Sequence, residues 1–382
     1  MTDIKTHLSQ LRLDGSRGYW KTALDSVTSQ QVQAELQAPA GRYSIDRLVR
    51  LLSPAARDFL EPMAQQARTL TRQRFGKTIA LFEPLYVSNV CVNSCVYCGF
   101  NRTSNVPRTQ LTIEQAMSDA RAIAEQGFRD ILLVSGEDPK FASVEYFCEL
   151  ARQLRPLFSS ISVEIYPMGQ SQYQQLLAAG IDGVTVFQET YDRQVYECHH
   201  PAGPKRNFDW RLECPDRFAS VGMRRIGLGV LLGLTDWRLD TLAMAEHAAY
   251  LMKRYWRSSV SFSFPRMRPA ANVIDQWPHV IDDTDLVQMM LALRLCFADA
   301  GIVLSTRERP ELRDQLIHLC VTRMSAGART NPGGYTRDDR DGSQFEVADT
   351  RSPSEIAQRI RQAGYEPVWK DWDAAFCEPQ SR

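Results

Sequence analysis

The sequence predicts an α/β protein built on a (β/α)8 TIM-type barrel, and three observations carry that prediction. From Ile79 onward, eight short β-rich runs alternate with segments of helical periodicity. A chain of 382 residues has room for one barrel of about 250 residues with extensions at both ends. Hydrophobic residues make up 44% and charged residues 24%, the balance of a globular chain with a sizeable core rather than of a disordered one.

Residues 1–78 read as an N-terminal helical extension. Ser53 and Pro54 offer an N-cap and an N1 proline, and 55–75 then runs with few breakers. The barrel is assigned to 79–327, with strands at 80–88, 129–135, 160–166, 182–187, 224–232, 258–264, 301–306 and 319–325. Helix 112–126 is the clearest intervening element. Thr112 and Gln115 make a capping box, Gly127 sits at C′, and Ile113, Ala116, Met117, Ala120, Ile123 and Ala124 share one face. The stretch 188–222, with Pro201, Gly203 and Pro204, reads as a long functional loop. Gly227 and Gly229 lack the spacing of a dinucleotide-binding turn and mark a closely packed strand. Residues 328–382 read as a C-terminal loop, with Pro332-Gly333-Gly334, and a tail, Trp369-Lys370-Asp371-Trp372-Asp373, that packs on the barrel. Burial of that tail over the active site is the alternative.

Several function classes drop out early. Lys+Arg and Asp+Glu both number 45, so the positive footprint of a nucleic-acid binder is missing. The longest apolar run, 226–234, is far shorter than the roughly 20 residues that span a bilayer. The N-terminus shows no basic patch followed by an apolar stretch. Nucleic acid and membrane are therefore not expected as partners. Nine cysteines are an odd number and six are scattered, which argues against a disulfide framework and for a reducing cytoplasm.

The other three cysteines carry chemistry. Cys91-Val92-Asn93-Ser94-Cys95-Val96-Tyr97-Cys98 has the form C-x3-C-x2-C and directly follows the first strand. Thiolates are soft ligands suited to iron–sulfur clusters and zinc. Structural zinc wants four ligands, often as two separated pairs, and there is no second C-x2-C here. A [4Fe–4S] cluster held by three thiolates leaves one iron open to a small molecule. A zinc site completed by a distant Cys or His is the competing reading.

This motif resembles that of the radical S-adenosylmethionine (SAM) superfamily, in which an aromatic residue before the third cysteine packs on the adenine of SAM. Tyr97 holds that position. Ser135-Gly136-Glu137 ends the second strand like the Gly-Gly-Glu motif of those enzymes, so the resemblance assigns Gly136 and Glu137 to the methionyl amine. Across nearly the whole chain the sequence is similar to the aromatic amino acid lyases, most closely to the 2-iminoacetate synthases (tyrosine lyases). The matching stretches include Pro84-Leu85-Tyr86-Val87-Ser88-Asn89, Phe187-Gln188-Glu189-Thr190-Tyr191, His200-Pro201-Ala202-Gly203-Pro204-Lys205 and Leu304-Ser305-Thr306-Arg307-Glu308.

The resemblance implies a [4Fe–4S] cluster and SAM as cofactors and L-tyrosine as substrate. It implies cleavage of SAM to methionine and a 5′-deoxyadenosyl radical, hydrogen removal at the tyrosine amino group, and Cα–Cβ scission to 2-iminoacetate (dehydroglycine) and p-cresol. Thiazole synthase of thiamine biosynthesis would be the protein partner, and a flavodoxin- or ferredoxin-type protein the electron donor. Arg307 and Ser325 would take the substrate carboxylate, with Tyr86 near the amine.

Alternatives stay open for individual residues. Arg307 could pair with Glu308 or Glu311, and Tyr86 could be a core aromatic. Glu164 could contact SAM or pair with an arginine. Glu189 reads as catalytic or as orienting a loop, and Arg268 as a substrate contact or a structural partner of an acid. His199-His200 reads as a loop-exposed pair or as metal ligands. Cys148, Cys198, Cys214, Cys296, Cys320 and Cys377 read as packing or incidental residues. The rival functions are a hydrogenase-maturation tyrosine lyase, which needs a second cysteine motif where only Cys377 follows Cys320, a tryptophan-cleaving relative, and a non-catalytic iron–sulfur or zinc subunit.

Overall fold

Period-two alternation of inward and outward side chains produces a closed sheet. In the computed structural model, which describes residues 2–273, 277–337 and 341–373, eight strands run in sequence order. They are β1 (Thr78–Ser88), β2 (Asp130–Ser135), β3 (Ser160–Glu164), β4 (Gly183–Glu189), β5 (Arg225–Val230), β6 (Ser259–Ser263), β7 (Gly301–Leu304) and β8 (Arg323–Ser325). All pair in parallel, and β1 pairs with both β2 and β8, so the barrel closes. Helices such as Ile113–Glu125, Trp237–Arg254 and Asp283–Cys296 cover its outside. The first of these starts on the expected capping box between Thr112 and Gln115, and Gly127 past its end has φ +104°.

The interior is layered by residue size. Asp130, Arg225 and Arg323 each open a strand and form an ionic floor, with Asp130 2.7 Å from Arg225 and 2.6 Å from Arg323. One layer up, the inward positions include Ser162, Gly227 and Ser261. Barrels of this kind usually fill that layer with bulky branched side chains; these small ones leave space instead. An added Cβ at Gly227 would stand 2.3 Å from Thr185 Oγ1, so the glycine is required by close packing, as its sequence context suggests.

Four expectations are corrected. The segment 55–75 is two elements, a 3-10 turn Pro54–Phe59 capped by Ser53 and then an α-helix Leu60–Phe75. Pro62 is tolerated only in a first turn, so the α-helix must begin just before it. The stretch 188–222 is largely helical, with Arg193–His199, Phe208–Leu212 and Cys214–Ser220. Asp192 and Asn207 cap the first two, and Pro215 opens the third. The last barrel strand spans only Arg323–Ser325; Thr322 Oγ1 takes the amide of Ile302 that a longer strand would have paired. A ninth strand, β9 (Glu366–Val368), was not anticipated and pairs with Thr78–Ala80 at the start of β1.

That ninth strand decides between the two readings of the tail. Trp369 packs edge-on against Phe128, and Trp372 lies under the Arg224 guanidinium, both at the N-terminal end of the barrel. The tail seals the bottom, away from the strand ends where barrel active sites gather. Cys377 lies outside the described residues.

Over the opposite, C-terminal rim, residues 328–337 and 341–352 form a strap, and its anchor is ionic. Asp349 is fully buried between Arg313 and Arg351, and Arg313 also donates to the carbonyl of Ser325 in β8. Asp349→Ala leaves a buried guanidinium unpaired and should destabilise the protein by about 3–5 kcal/mol. Lys370→Ala, which breaks the exposed Lys370–Asp373 pair, should cost no more than about 1 kcal/mol. Chemical denaturation of both variants checks the contrast.

Candidate active site

The cysteine loop leaves β1 after Ser88 and is tied by four backbone bonds to three separate segments. Val92 N donates to Glu137 O at 2.9 Å, Ser94 N to Ala202 O at 3.0 Å, Val96 N to His199 O at 3.2 Å and Gly99 N to Gln344 O at 3.1 Å. Asn93, buried inside the motif, links three of its neighbours. Its amide nitrogen donates to Glu137 Oε2 at 2.7 Å and reaches Cys91 Sγ at 3.7 Å, while Oδ1 accepts from Lys205 N at 2.8 Å. Two glycines permit this packing. A Cβ at Gly136 would sit 2.3 Å from Val90 O, and one at Gly99 would sit 2.7 Å from Gln344 O.

Cys95 is buried, and Cys91 and Cys98 are half-buried. Burial pushes the Cys95 thiol up to about 12, and burial with the neighbouring Cys91 raises Cys98 as well. Such thiols give up their protons only to a strong cation, which bound iron supplies. Among the described residues, no three His, Cys, Asp or Glu side chains gather as for a single metal ion. Three thiols spread around one loop, with mutual electrostatic contact, fit the donor set of a cluster.

Beneath the loop, the barrel encloses a cavity of about 190 Å³, many times the roughly 10–15 Å³ that one water needs on the same measure. Its wall brings together Tyr86, Tyr97, Cys98, Glu164, Glu189, Arg268, Arg307 and Ser325, eight of the residues singled out in the sequence. Cys91, Cys95, Gly136 and Glu137 are not in that wall; Cys91 packs against the cluster that holds the wall residues Tyr86 and Val134, and Glu137 is joined to the loop through Asn93 and the Val92 amide.

The remaining candidates differ in their contacts. Among the described residues Arg307 makes no ion pair; Glu308 is taken by Arg266, and the Arg307 guanidinium stacks 3.5 Å over the Phe345 ring. Arg268 has no acidic partner among the described residues either, and its buried Nε has no hydrogen-bond partner there. Glu164 has no arginine partner among the described residues. Burial, then the nearby Glu189 carboxylate, pushes its pKa up to about 7, against relief from Arg307 and Lys205. Ser325 Oγ accepts from Thr306 N at 3.1 Å, and Tyr86 donates to Gln344 Oε1 at 2.8 Å. Glu189 sits at a β-bulge with φ +70°, a conformation costly for a side chain, and pairs with Lys205 at 2.6 Å.

The histidine pair departs from both of its readings. His200 is fully buried, its Nδ1–H directed at Tyr196 O (2.7 Å), so Nε2 must accept the Tyr97 hydroxyl at 2.6 Å. Burial, then Lys205, lowers its pKa to about 2, which keeps it neutral. His199 is half-buried and bonds Val195 O. Sequence reasoning missed Lys205, Gln344, Phe345 and the floor residue Arg323 as parts of the cavity wall. Lys205 could have been found, since it ends one of the stretches that carried the resemblance; Gln344 and Phe345 sit in a strap with no periodic signal.

A cluster loop at the rim of a closed parallel barrel, above a charged cavity, defines a radical SAM enzyme. The pattern of the radical SAM superfamily matches residues 85–245, and that of the Biotin and Thiamin Synthesis associated domain matches residues 263–366. The superfamily's cofactors are a [4Fe–4S] cluster and SAM.

The chain is 43% identical to 2-iminoacetate synthase of Salmonella typhimurium over 366 residues, covering 96% of this chain and 93% of that protein. It is 41% identical to the Escherichia coli enzyme of the same name over 374 residues, covering 98% and 96%. The chain belongs to the 2-iminoacetate synthase family. Among solved structures it resembles HydG, a maturase of the [FeFe]-hydrogenase, with a TM-score of 0.86 and 32% identity over 93% of this chain and 79% of that one. Methylornithine synthase (PylB) shares the fold, with a TM-score of 0.69 and 20% identity over 88% and 97%.

The Glu164 carboxyl supplies a pH test. Its folded pKa near 7 exceeds the ordinary 4.5. Between those values the folded protein keeps a proton that the unfolded chain releases, so stability falls as pH rises through the window. Glu164→Gln removes that penalty. Its melting temperature should match wild type near pH 4.5 and exceed it by a few degrees above pH 7, measured anaerobically by scanning calorimetry.

Proposed function

We propose that this chain is a radical SAM tyrosine lyase that cleaves the Cα–Cβ bond of L-tyrosine to 2-iminoacetate and p-cresol for assembly of the thiamine thiazole. The observation that carries the reading is a closed barrel cavity, below a three-thiol loop, that holds two guanidiniums without a protein carboxylate partner. A zwitterionic amino acid supplies the missing anion. A docking subunit with a structural metal would have no use for such a cavity.

When bound, the cluster and SAM supply the 5′-deoxyadenosyl radical. The remaining work falls to this chain. Cys91, Cys95 and Cys98 hold the cluster, and Asn93 fixes Glu137 beside Cys91, where its carboxylate can receive the amine of SAM. Tyr97, with its hydroxyl tied back to His200, offers a ring face to the adenine, and Glu164 stands free to meet the ribose. Arg307 gives the substrate carboxylate a planar fork of donors, braced by Phe345, with Ser325 beside it. Tyr86 meets the amine, and Arg268 is the second cation of the pocket. Glu189, held by Lys205, sets the wall opposite. In this scheme 1–78 is a helical brace, 79–327 the catalytic barrel and 328–382 the strap and tail.

Among the described residues no helix is long and apolar enough to cross a membrane. Reduced thiols and an oxygen-sensitive cluster suit a cytoplasmic setting, with a flavodoxin- or ferredoxin-type donor. Free 2-iminoacetate hydrolyses readily to glyoxylate and ammonia, which favours direct transfer to thiazole synthase.

Product analysis under anaerobic conditions, with tyrosine, SAM and a strong reductant, tests the reading. p-Cresol should form with glyoxylate in equal amount and no more than trace CO or cyanide. Stoichiometric CO would point to hydrogenase-maturation chemistry, and indole products from tryptophan would overturn the substrate. Arg307→Lys keeps the charge but loses the fork, and a displacement of the substrate by about 1 Å costs roughly a hundredfold in rate. p-Cresol formation should fall by that order while SAM cleavage without tyrosine survives better; equal loss of both would remove Arg307 from the substrate site.

A further inference from the structure

Gln344 touches two groups that no feature of its own sequence connects. Its side-chain Oε1 accepts the Tyr86 hydroxyl at 2.8 Å, and its Nε2 lies 3.7 Å from Cys98 Sγ. The backbone is held just as closely: Gly99 N donates to Gln344 O at 3.1 Å, and Gln344 N donates to Thr330 O at 3.0 Å. The strap therefore delivers this one amide to the junction of the cysteine loop and the cavity wall.

Hydrogen-bond direction then runs one way along the chain of groups. A thiolate bound to iron has no proton to give and can only accept. The group facing Cys98 must be the amide nitrogen, which leaves Oε1 toward Tyr86. An amide oxygen can only accept, so Tyr86 must donate to it. With its single hydrogen committed to Gln344, the Tyr86 oxygen shows the cavity lone pairs alone.

We infer that Gln344 is a positioning residue that fixes Tyr86 as an obligate hydrogen-bond acceptor for the substrate's amino group, and that the same amide donates to the Cys98 sulfur. The inference rests on the tyrosine-lyase reading, in which hydrogen leaves the amino nitrogen beside the cysteine loop. It adds what makes Tyr86 select a donor there. It also makes the strap a contributor to the cluster's potential, because a hydrogen bond to a cluster sulfur stabilises the reduced, more negative state.

The test uses reconstituted full-length protein with SAM and two readouts. One is the dissociation constant for L-tyrosine against that for 3-(4-hydroxyphenyl)propionate, which lacks the amine. The other is the cluster midpoint potential, followed by electron paramagnetic resonance. Gln344→Leu should weaken tyrosine binding about tenfold, leave the propionate within about twofold, and make the potential more negative. Gln344→Glu, nearly isosteric, still accepts from Tyr86 but cannot donate to sulfur at pH 8. It should keep tyrosine affinity within about threefold and still lower the potential. Tyr86→Phe should weaken tyrosine binding as the leucine variant does without moving the potential, and combining the two should add nothing further.

Equal loss of tyrosine and propionate binding in Gln344→Leu would overturn the amine assignment. An unchanged potential in both Gln344 variants would overturn the sulfur contact. Wild-type protein that neither binds nor cleaves tyrosine would instead defeat the tyrosine-lyase reading, while the potential measurement would still judge the Cys98 contact.

Discussion

The ionic floor of the barrel is the constraint on which the rest of the site depends. Asp130, Arg225 and Arg323 occupy the start of three strands and pair across the barrel axis, with Asp182 a further partner of Arg225 at 3.6 Å. Buried ion pairs rarely add net stability, because desolvation offsets the Coulombic gain. Their use here is spatial. A charged floor that is already paired closes the bottom without needing apolar side chains stacked above it. The layer above can then be made of Ser162, Gly227 and Ser261, and the volume they leave becomes the cavity. β9 and Trp369 seal the same end from outside. A bottom closed twice leaves the C-terminal rim as the route to the site, and the cysteine loop and the strap lie at that rim.

At the rim, rigidity comes from polar contacts between segments distant in sequence. Asn93 reads three neighbours at once, and Gly136 and Gly99 let backbones approach where any side chain would collide. The strap is anchored by Asp349 at one end of the contact and presents Gln344 and Phe345 at the other. Radical chemistry needs this, since the reacting hydrogen must lie close to the radical carbon and small displacements are expensive. A loop held by one segment could drift; one held by three cannot move without breaking buried bonds.

Legibility in the sequence followed the range of the interactions. Strands β1 to β7 could be read within a few residues because alternation is a local signal, and the Thr112 box because capping spans four residues. The cysteine spacing was equally local, and the inward polar residues at strand ends, such as Glu164 and Arg307, followed from the barrel. What failed was either too short or too distant. β8 and β9 have three residues each, below what alternation can mark. The helices within 188–222 are short and depend on caps from Asp192 and Asn207, which the nearby prolines and glycine obscured. Gln344 meets Tyr86 across 258 positions in a strap without periodicity. His200 was misread for a related reason: nothing local shows that Tyr97, Tyr196 and the chain around them will enclose it.

The charges left over in the cavity indicate what must enter it. Lys205 is matched by Glu189 and Arg323 by Asp130. Of the lining groups, that leaves Arg307, Arg268 and Glu164 outside any ion pair among the described residues, although Arg307 and Glu164 lie near enough to favour each other's charge. Burial pushes the Glu164 pKa up to about 7, so at neutral pH that carboxyl carries only roughly half a negative charge. Neither guanidinium can respond in that way, because arginine stays charged in proteins. Burial drives the Arg307 pKa down, which measures how poorly solvated that charge is. The closed pocket therefore carries an uncompensated positive charge, and a carboxylate ligand relieves it where a neutral one does not. An α-amino acid brings that carboxylate together with an amino group one carbon away. In the proposed scheme, the acceptor on Tyr86 would answer the second group as the arginines would answer the first.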